Sequence, residues 1–144
     1  MALEVLSGGA VNIFTTLVSG TFSQSILSSS FTALTDASVS VGLETATDKW
    51  LVRVSMVVTG QGSAWPGGAI RIAYALNGGT HTAFTGSSKT FNFPATPTAS
   101  DFYLEVPVTG LSAGALTFFV EAEGGDTTGT SFTFGPITIA VHKY

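Results

Sequence analysis

A chain of 144 residues suits one domain with its own apolar core, because a domain of about 150 residues buries roughly 70% of its unfolded surface. Charged residues make up only 10% of the sequence, against about 25% in an average soluble domain. The absence of cysteine excludes disulfides and thiolate metal sites. A net charge of -4 with scattered basic residues argues against nucleic acid as a partner.

The first thirty residues are rich in Ser, Thr and Gly and show little regular alternation. We interpret residues 1–30 either as an irregular first strand with a loop or as an extended arm that packs on a neighbouring chain. Disorder is disfavoured, because the segment has many apolar side chains for a solvated tail. The candidate interface residues of this segment are Leu3, Val5, Leu6, Val11, Ile13, Phe14, Leu17 and Phe22.

From Phe31 onward, apolar and polar residues alternate in short runs, which is the pattern of half-buried β-strands. The first runs are "SVSVGLE", "KWLVRVSMVV" and "AIRIAYAL". In the third run we expect Ile70, Ile72, Tyr74 and Leu76 to point inward and Arg71, Ala73 and Ala75 to point outward. The "NGG" at positions 77–79 then predicts a hairpin turn, since Asn and Gly readily adopt a positive φ.

The later runs are "DFYLEVPV", "ALTFFVEAE", "SFTF" and "ITIAVHKY". Pro136 stands between the last two and predicts a break or an edge, because proline has no N–H to donate to a ladder. No stretch from Phe31 onward has a helical period, and no apolar run is long enough for a transmembrane helix, which needs about 20 residues. About eight short strands with Gly-rich turns predict an all-β sandwich or barrel.

No group of residues predicts a catalytic or metal site. Glu121 and Glu123 share the outer face of one strand, where we expect a solvated surface rather than an acid–base pair. His81 and His142 lie far apart and lack metal-ligand spacing. We expect His81 to be exposed, and His142 to be either exposed or paired across the last strand. The loop "EGGDTTGT" has too few carboxylates for calcium, so we interpret it as a turn. We therefore predict no enzymatic activity, no catalytic residue, no metal and no cofactor.

Three aromatic residues complete the candidate interface. Trp65 lies in the loop sequence "GSAWPGG", where it could stack on a sugar, anchor an interface or fold back on the sandwich. Tyr103 and Phe119 fall on the predicted outer faces of their strands. A sugar could also stack on the three rings of Trp65, Tyr74 and Tyr103.

The order of these elements resembles a known family. "FTALTDASVSVGLETATDKWLVRVSMVVTG" resembles the opening of small jelly-roll modules in virion proteins of tailed bacteriophages. "VPVTGLSAGALTFFVEAEGG" resembles their later turn and strand, and "ITIAVHKY" is similar to their closing strand. The same general form occurs in complement-like and tumour-necrosis-factor-like jelly rolls. The resemblance covers residues 31–144.

This resemblance implies an antiparallel two-sheet jelly-roll sandwich whose final strand is central in a sheet. It divides the chain into an N-terminal arm or irregular first strand, residues 1–30, and a jelly-roll domain, residues 31–144. It also implies a decoration (cement) protein on the capsid exterior. Its partners would be the major capsid protein and itself, as a homotrimer or a dimer, with no nucleic acid and no membrane. The alternatives are the receptor-binding tip of a tail or head fibre and a carbohydrate-binding module.

Overall fold

The computed structural model describes residues 2–6, 10–18, 22–24, 30–44, 46–61, 68–91, 99–124, 131–134 and 136–143. In these residues the chain forms twelve strands and no helix, so no described helix could cross a membrane. The strands are β1 (Ala2–Leu6), β2 (Ala10–Val18), β3 (Phe22–Gln24), β4 (Thr32–Glu44), β5 (Trp50–Gln61), β6 (Gly68–Leu76), β7 (Thr82–Ala83), β8 (Lys89–Phe91), β9 (Ala99–Val108), β10 (Gly114–Gly124), β11 (Ser131–Phe134) and β12 (Ile137–Lys143).

The strands form two antiparallel sheets. In the first sheet the order is β1, β2, β12, β5 and β9. The short strand β11 continues β12 along the same side of β5, since it pairs with the end of β5. The short strand β3 continues β2 in the same way, since it pairs with β11. In the second sheet the order is β4, β10 and β6, and β7 and β8 share the far side of β6.

The strand order is that of a jelly roll. We count β7 and β8 together as one interrupted strand, and β11 and β12 together as another. Without β1 and β3, the twelve strands then reduce to eight. The first sheet then holds strands one, eight, three and six, and the second holds two, seven, four and five. This is the arrangement of two Greek keys in two sheets, and it confirms the predicted fold class.

The two ends of the chain meet in the first sheet. β12 lies between β2 and β5, so the final strand is central, as expected. Pro136 lies between β11 and β12, at the predicted break. β2 is the first of the eight strands, although the resemblance begins only at Phe31. The backbone of β2 pairs with β12 in the first sheet.

The core lies between the sheets and follows the predicted alternation along β5, β9, β10 and β12. Within it Trp50 of β5 and Phe118 of β10 meet edge-on, with ring centroids 6.3 Å apart. Ala73 and Ala75 alternate with the inward residues of β6, as predicted, and they are nevertheless buried. Ala73 pairs with Phe119 of β10 on one side and with Ala83 of β7 on the other, so a strand flanks it on each side.

Candidate interface surfaces

Tyr103 stands on the outer face of the first sheet, near its β9 edge. It is exposed over 53% of its surface, as the alternation predicted. Its hydroxyl donates a hydrogen bond of 2.7 Å to Oε2 of Glu105, two residues along the same strand face. The Nε of Arg53, which pairs with Glu105 across β5 and β9, donates to the same oxygen at 2.7 Å. The phenol is therefore held at its hydroxyl while the ring remains open to solvent.

This network shifts the pKa of each of its members. The hydrogen bond from Tyr103, followed by that from Arg53, lowers the pKa of Glu105 below its ordinary value, because both donors stabilise the carboxylate. The same contact with Glu105 raises the pKa of Tyr103, since ionisation would remove the donated proton and place two anions side by side. It also raises the pKa of Arg53. At neutral pH the group is an ion pair with a neutral phenol.

The outer face of the second sheet carries a buried carboxylate. Glu121 of β10 pairs in register with Arg71 of β6, whose Nε donates to Oε2 of Glu121 at 2.7 Å. The Nδ1–H of His81, from the segment after the 77–79 turn, donates to Oε1 at 2.8 Å. Only 4% of the Glu121 side chain is exposed. The prediction that Glu121 lies on a solvated face was therefore wrong, because Arg71 and His81 cover it.

His81 and Arg71 each also cover an aromatic ring on this face. The imidazole of His81 stacks on Phe119 with ring centroids 3.9 Å apart. The guanidinium of Arg71 lies 3.9 Å from the centre of the Phe31 ring. Phe119 is consequently half-buried under His81, whereas Tyr103 is exposed on the opposite side of the sandwich. The structure therefore does not bring these two candidate interface residues into one patch.

The structure places the candidate residues of the N-terminal segment at the first sheet. The backbones of Leu3, Val5 and Leu6 lie in β1, those of Val11, Ile13, Phe14 and Leu17 in β2, and that of Phe22 in β3. Among the described residues, β1 pairs with β2 alone, so it forms one edge of the sheet. β2 pairs with β12 on its other side. Contact of these residues with a neighbouring chain stays a prediction.

The proposed sugar-stacking group is not assembled as expected. Trp65 lies outside the described residues. Tyr74 belongs to the second sheet and stacks on Phe84, with centroids 4.7 Å apart, so one of its faces is occupied. Tyr103 belongs to the first sheet and points away from the core. Of the two tyrosines, only Tyr103 offers an open ring.

In the part of the chain that the structure describes, the carboxylate of Glu121 and the imidazole of His81 are in direct contact. No group of three or more His, Cys, Asp or Glu residues there could hold a metal ion. Most of the loop "EGGDTTGT", from residue 125 to 130, lies outside the described residues. Sequence reasoning had placed Arg71 and Glu121 on outer faces but missed their pairing, because the register between β6 and β10 has no local signal.

The chain is similar in structure to solved proteins, but not in sequence to a described family. No protein-family model and no curated protein matches the chain. Among solved structures, a chain in the structure of infectious bursal disease virus Gx strain is similar at a TM-score of 0.42 and 10% sequence identity. The match covers 99% of this chain and 42% of that chain, so this chain spans less than half the length of the matched one. The jelly-roll assignment rests on the strand order itself.

Proposed function

We propose that this chain is a structural protein of a virion, and that it decorates the outside of a capsid by binding the assembled major capsid protein. Jelly rolls occur in viral capsids, but they also occur in lectins, so the fold alone does not decide the function. Two features of the sequence also support the proposal, namely its low content of charged residues and its resemblance to phage virion modules. The observation that carries the proposal is the position of β1.

β1 is an edge strand with an apolar sequence. Among the described residues its backbone pairs only with β2, and it contains Leu3, Val5 and Leu6. An edge strand presents unpaired N–H and C=O groups, and another chain can add a strand to it. We propose that a shell subunit pairs along β1 and covers its apolar side chains. The N-terminal segment would then act as the arm that its composition suggested, while β2 stays in the chain's own sheet.

Such a protein needs no chemical reaction to act. A partner that binds the assembled shell but not the free subunits stabilises the shell by mass action. Symmetric copies, which we expect to be homotrimers or else dimers, would engage several shell sites at once, and the local effective concentration would raise the overall affinity.

The test is cosedimentation of the purified chain with assembled shells and with dissociated shell subunits. We expect the full chain to bind shells and not free subunits. A variant lacking residues 2–8 should keep its thermal unfolding transition but lose shell binding, because it removes only the edge strand. Deleting all of residues 2–30 would be less informative, since it also removes β2 from beside β12.

Tyr103→Ala is the matched control, because Tyr103 lies on β9 at the opposite edge of the first sheet. It should bind shells as the full chain does. If the variant lacking residues 2–8 also binds normally, β1 is not the contact. If the full chain binds no shells, or binds free subunits equally well, the decoration role is wrong.

A further inference from the structure

A cleft lies on the first sheet at the β9 edge, on the far side from β1. Its volume is about 370 Å³, which lies at the small end of the range for ligand sites. Ser55 and Tyr103 face each other across β5 and β9, and Asp101 is the next outward residue of β9. Pro136 borders the cleft on the β12 side, and Lys89 of β8 borders it from the second sheet. The cleft therefore spans the outer sheet face and its edge.

The aromatic wall of this cleft is already held in place. The Tyr103 ring is exposed, and its hydroxyl is fixed by the 2.7 Å hydrogen bond to Glu105. A fixed ring loses little rotamer freedom when a ligand packs on it, so less binding energy is spent on ordering the side chain. Its face is apolar and suits the C–H face of a saturated ring.

The cleft carries one negatively and one positively charged side chain. Asp101 supplies a carboxylate that only accepts hydrogen bonds, and Lys89 supplies an ammonium that only donates them. In the described part of the chain neither charge has an ion-pair partner. A ligand of either sign would meet one attractive and one repulsive charge, so it gains little net attraction to offset the loss of its own hydration. A hydroxyl can donate to Asp101 and another can accept from Lys89, while Ser55 does either.

We propose that this cleft is a binding site for one neutral sugar unit of a glycan, which stacks on Tyr103 and is held by Asp101, Lys89 and Ser55. The C–H face of the sugar would pack on the open ring of Tyr103. Its hydroxyls would bond to Asp101 and Lys89, which form no ion pair with each other. If the chain binds a particle through β1, this cleft lies at the opposite edge of the sheet from that contact. The inference does not depend on shell binding, because it concerns the isolated chain.

The experiment is an NMR titration of the ¹⁵N-labelled full chain. The neutral probes are methyl glucoside, methyl galactoside and N-acetylglucosamine. N-acetylneuraminic acid and glucosamine supply the anionic and cationic comparisons, glycerol supplies hydroxyls without a ring, and trialanine supplies a peptide. We expect at least one neutral sugar to give saturable shifts of the Ser55, Asp101 and Tyr103 amides. Both charged sugars, glycerol and trialanine should bind more weakly.

Variants locate the site. Tyr103→Ala should weaken binding about tenfold, whereas Tyr103→Phe should keep most of it because the ring remains. Asp101→Asn should also weaken binding, and Asp36→Asn, which alters an exposed carboxylate on the second sheet, should not. Failure of every neutral sugar to bind would overturn the proposal. So would binding that survives Tyr103→Ala, tighter binding of a charged sugar, or saturable binding of trialanine in place of sugar.

Discussion

Arg71 and Glu121 are direct cross-strand partners on β6 and β10, and their side chains meet at 2.7 Å on the outer face of the second sheet. Glu121 has lost almost all of its contact with water there, while 27% of the Arg71 side chain is still exposed. The carboxylate therefore depends on Arg71 and His81 for the hydrogen bonds that water would otherwise supply.

Removing one partner of this pair should cost more than removing both. Arg71→Ala leaves the buried carboxylate without its cation, and we expect it to lower the free energy of unfolding by about 3 kcal/mol. The double variant Arg71→Met with Glu121→Met should lose clearly less, because no buried charge then remains. Urea unfolding of the two variants and the parent chain measures this. An equal or larger loss in the double variant would show that the ion pair itself stabilises the fold.

The Tyr103–Glu105 contact predicts a specific titration. Tyr103→Phe removes the largest cause of the lowered pKa of Glu105, so that pKa should rise toward its ordinary value of 4.5. Arg53→Gln should raise it as well, because it removes the positive charge of Arg53 together with the second hydrogen bond. Carbon-detected NMR of the Glu105 carboxyl over pH 2–7 measures both shifts. No change in Tyr103→Phe would mean that the phenol does not bond to Glu105 in solution.

The same network predicts the sign of a pH effect on stability. The pKa of Glu105 is lower in the folded chain than its ordinary value, so the network stabilises the fold above that ordinary value. This contribution is lost as the pH falls through the lowered pKa. Because the three groups lie at the surface, we expect a small effect. Thermal unfolding of the parent and of Glu105→Gln should differ at pH 6 and converge near pH 2, and a difference that grows in acid would contradict the assignment.

The turn after β6 is locked by Asn77, which has a φ of 52°. Its N–H donates to the carbonyl of Ala115, and its Oδ1 accepts from the Ala115 N–H at 2.9 Å. A Cβ added to Gly114 would lie 2.9 Å from Nδ2 of Asn77 and 3.0 Å from Oδ1. The glycine therefore makes room for the asparagine amide, and the two positions are coupled.

Gly114→Ala should lower the free energy of unfolding by about 2 kcal/mol, because the crowded amide must leave its hydrogen bond. Adding Asn77→Gly should restore part of that loss, since it removes the crowded group and glycine accepts a positive φ. Chemical unfolding of both single variants and the double variant gives the coupling energy. Strictly additive losses would show that the two residues do not meet.

The sequence pattern anticipated the fold where alternation was regular and the side chains faced the core. The inward residues of β5 and β9 follow from a period of two, which needs no knowledge of neighbouring strands. The sequence left β2 open between an irregular first strand and an arm, because its run "AVNIFTTLV" alternates poorly and its place in the sheet depends on pairing with β12, far away in the chain.

The candidate sites were harder to predict than the core. Tyr103 could be placed on an outer face from its strand alone, and it is exposed. The surroundings of Glu121 could not be predicted, since they require both the register of β6 against β10 and the folding of His81 back over Phe119. Contacts made by loops across strands leave no periodic signal in a sequence.

The role of the chain on a virion is tested most directly by cryo-electron microscopy of purified particles. The proposal predicts eight-stranded sandwiches in regular copies on the outer surface of the shell, with β1 against a shell subunit and the Tyr103 edge facing outward. Particles that lack the chain, or that carry it only at a tail or fibre, would contradict it.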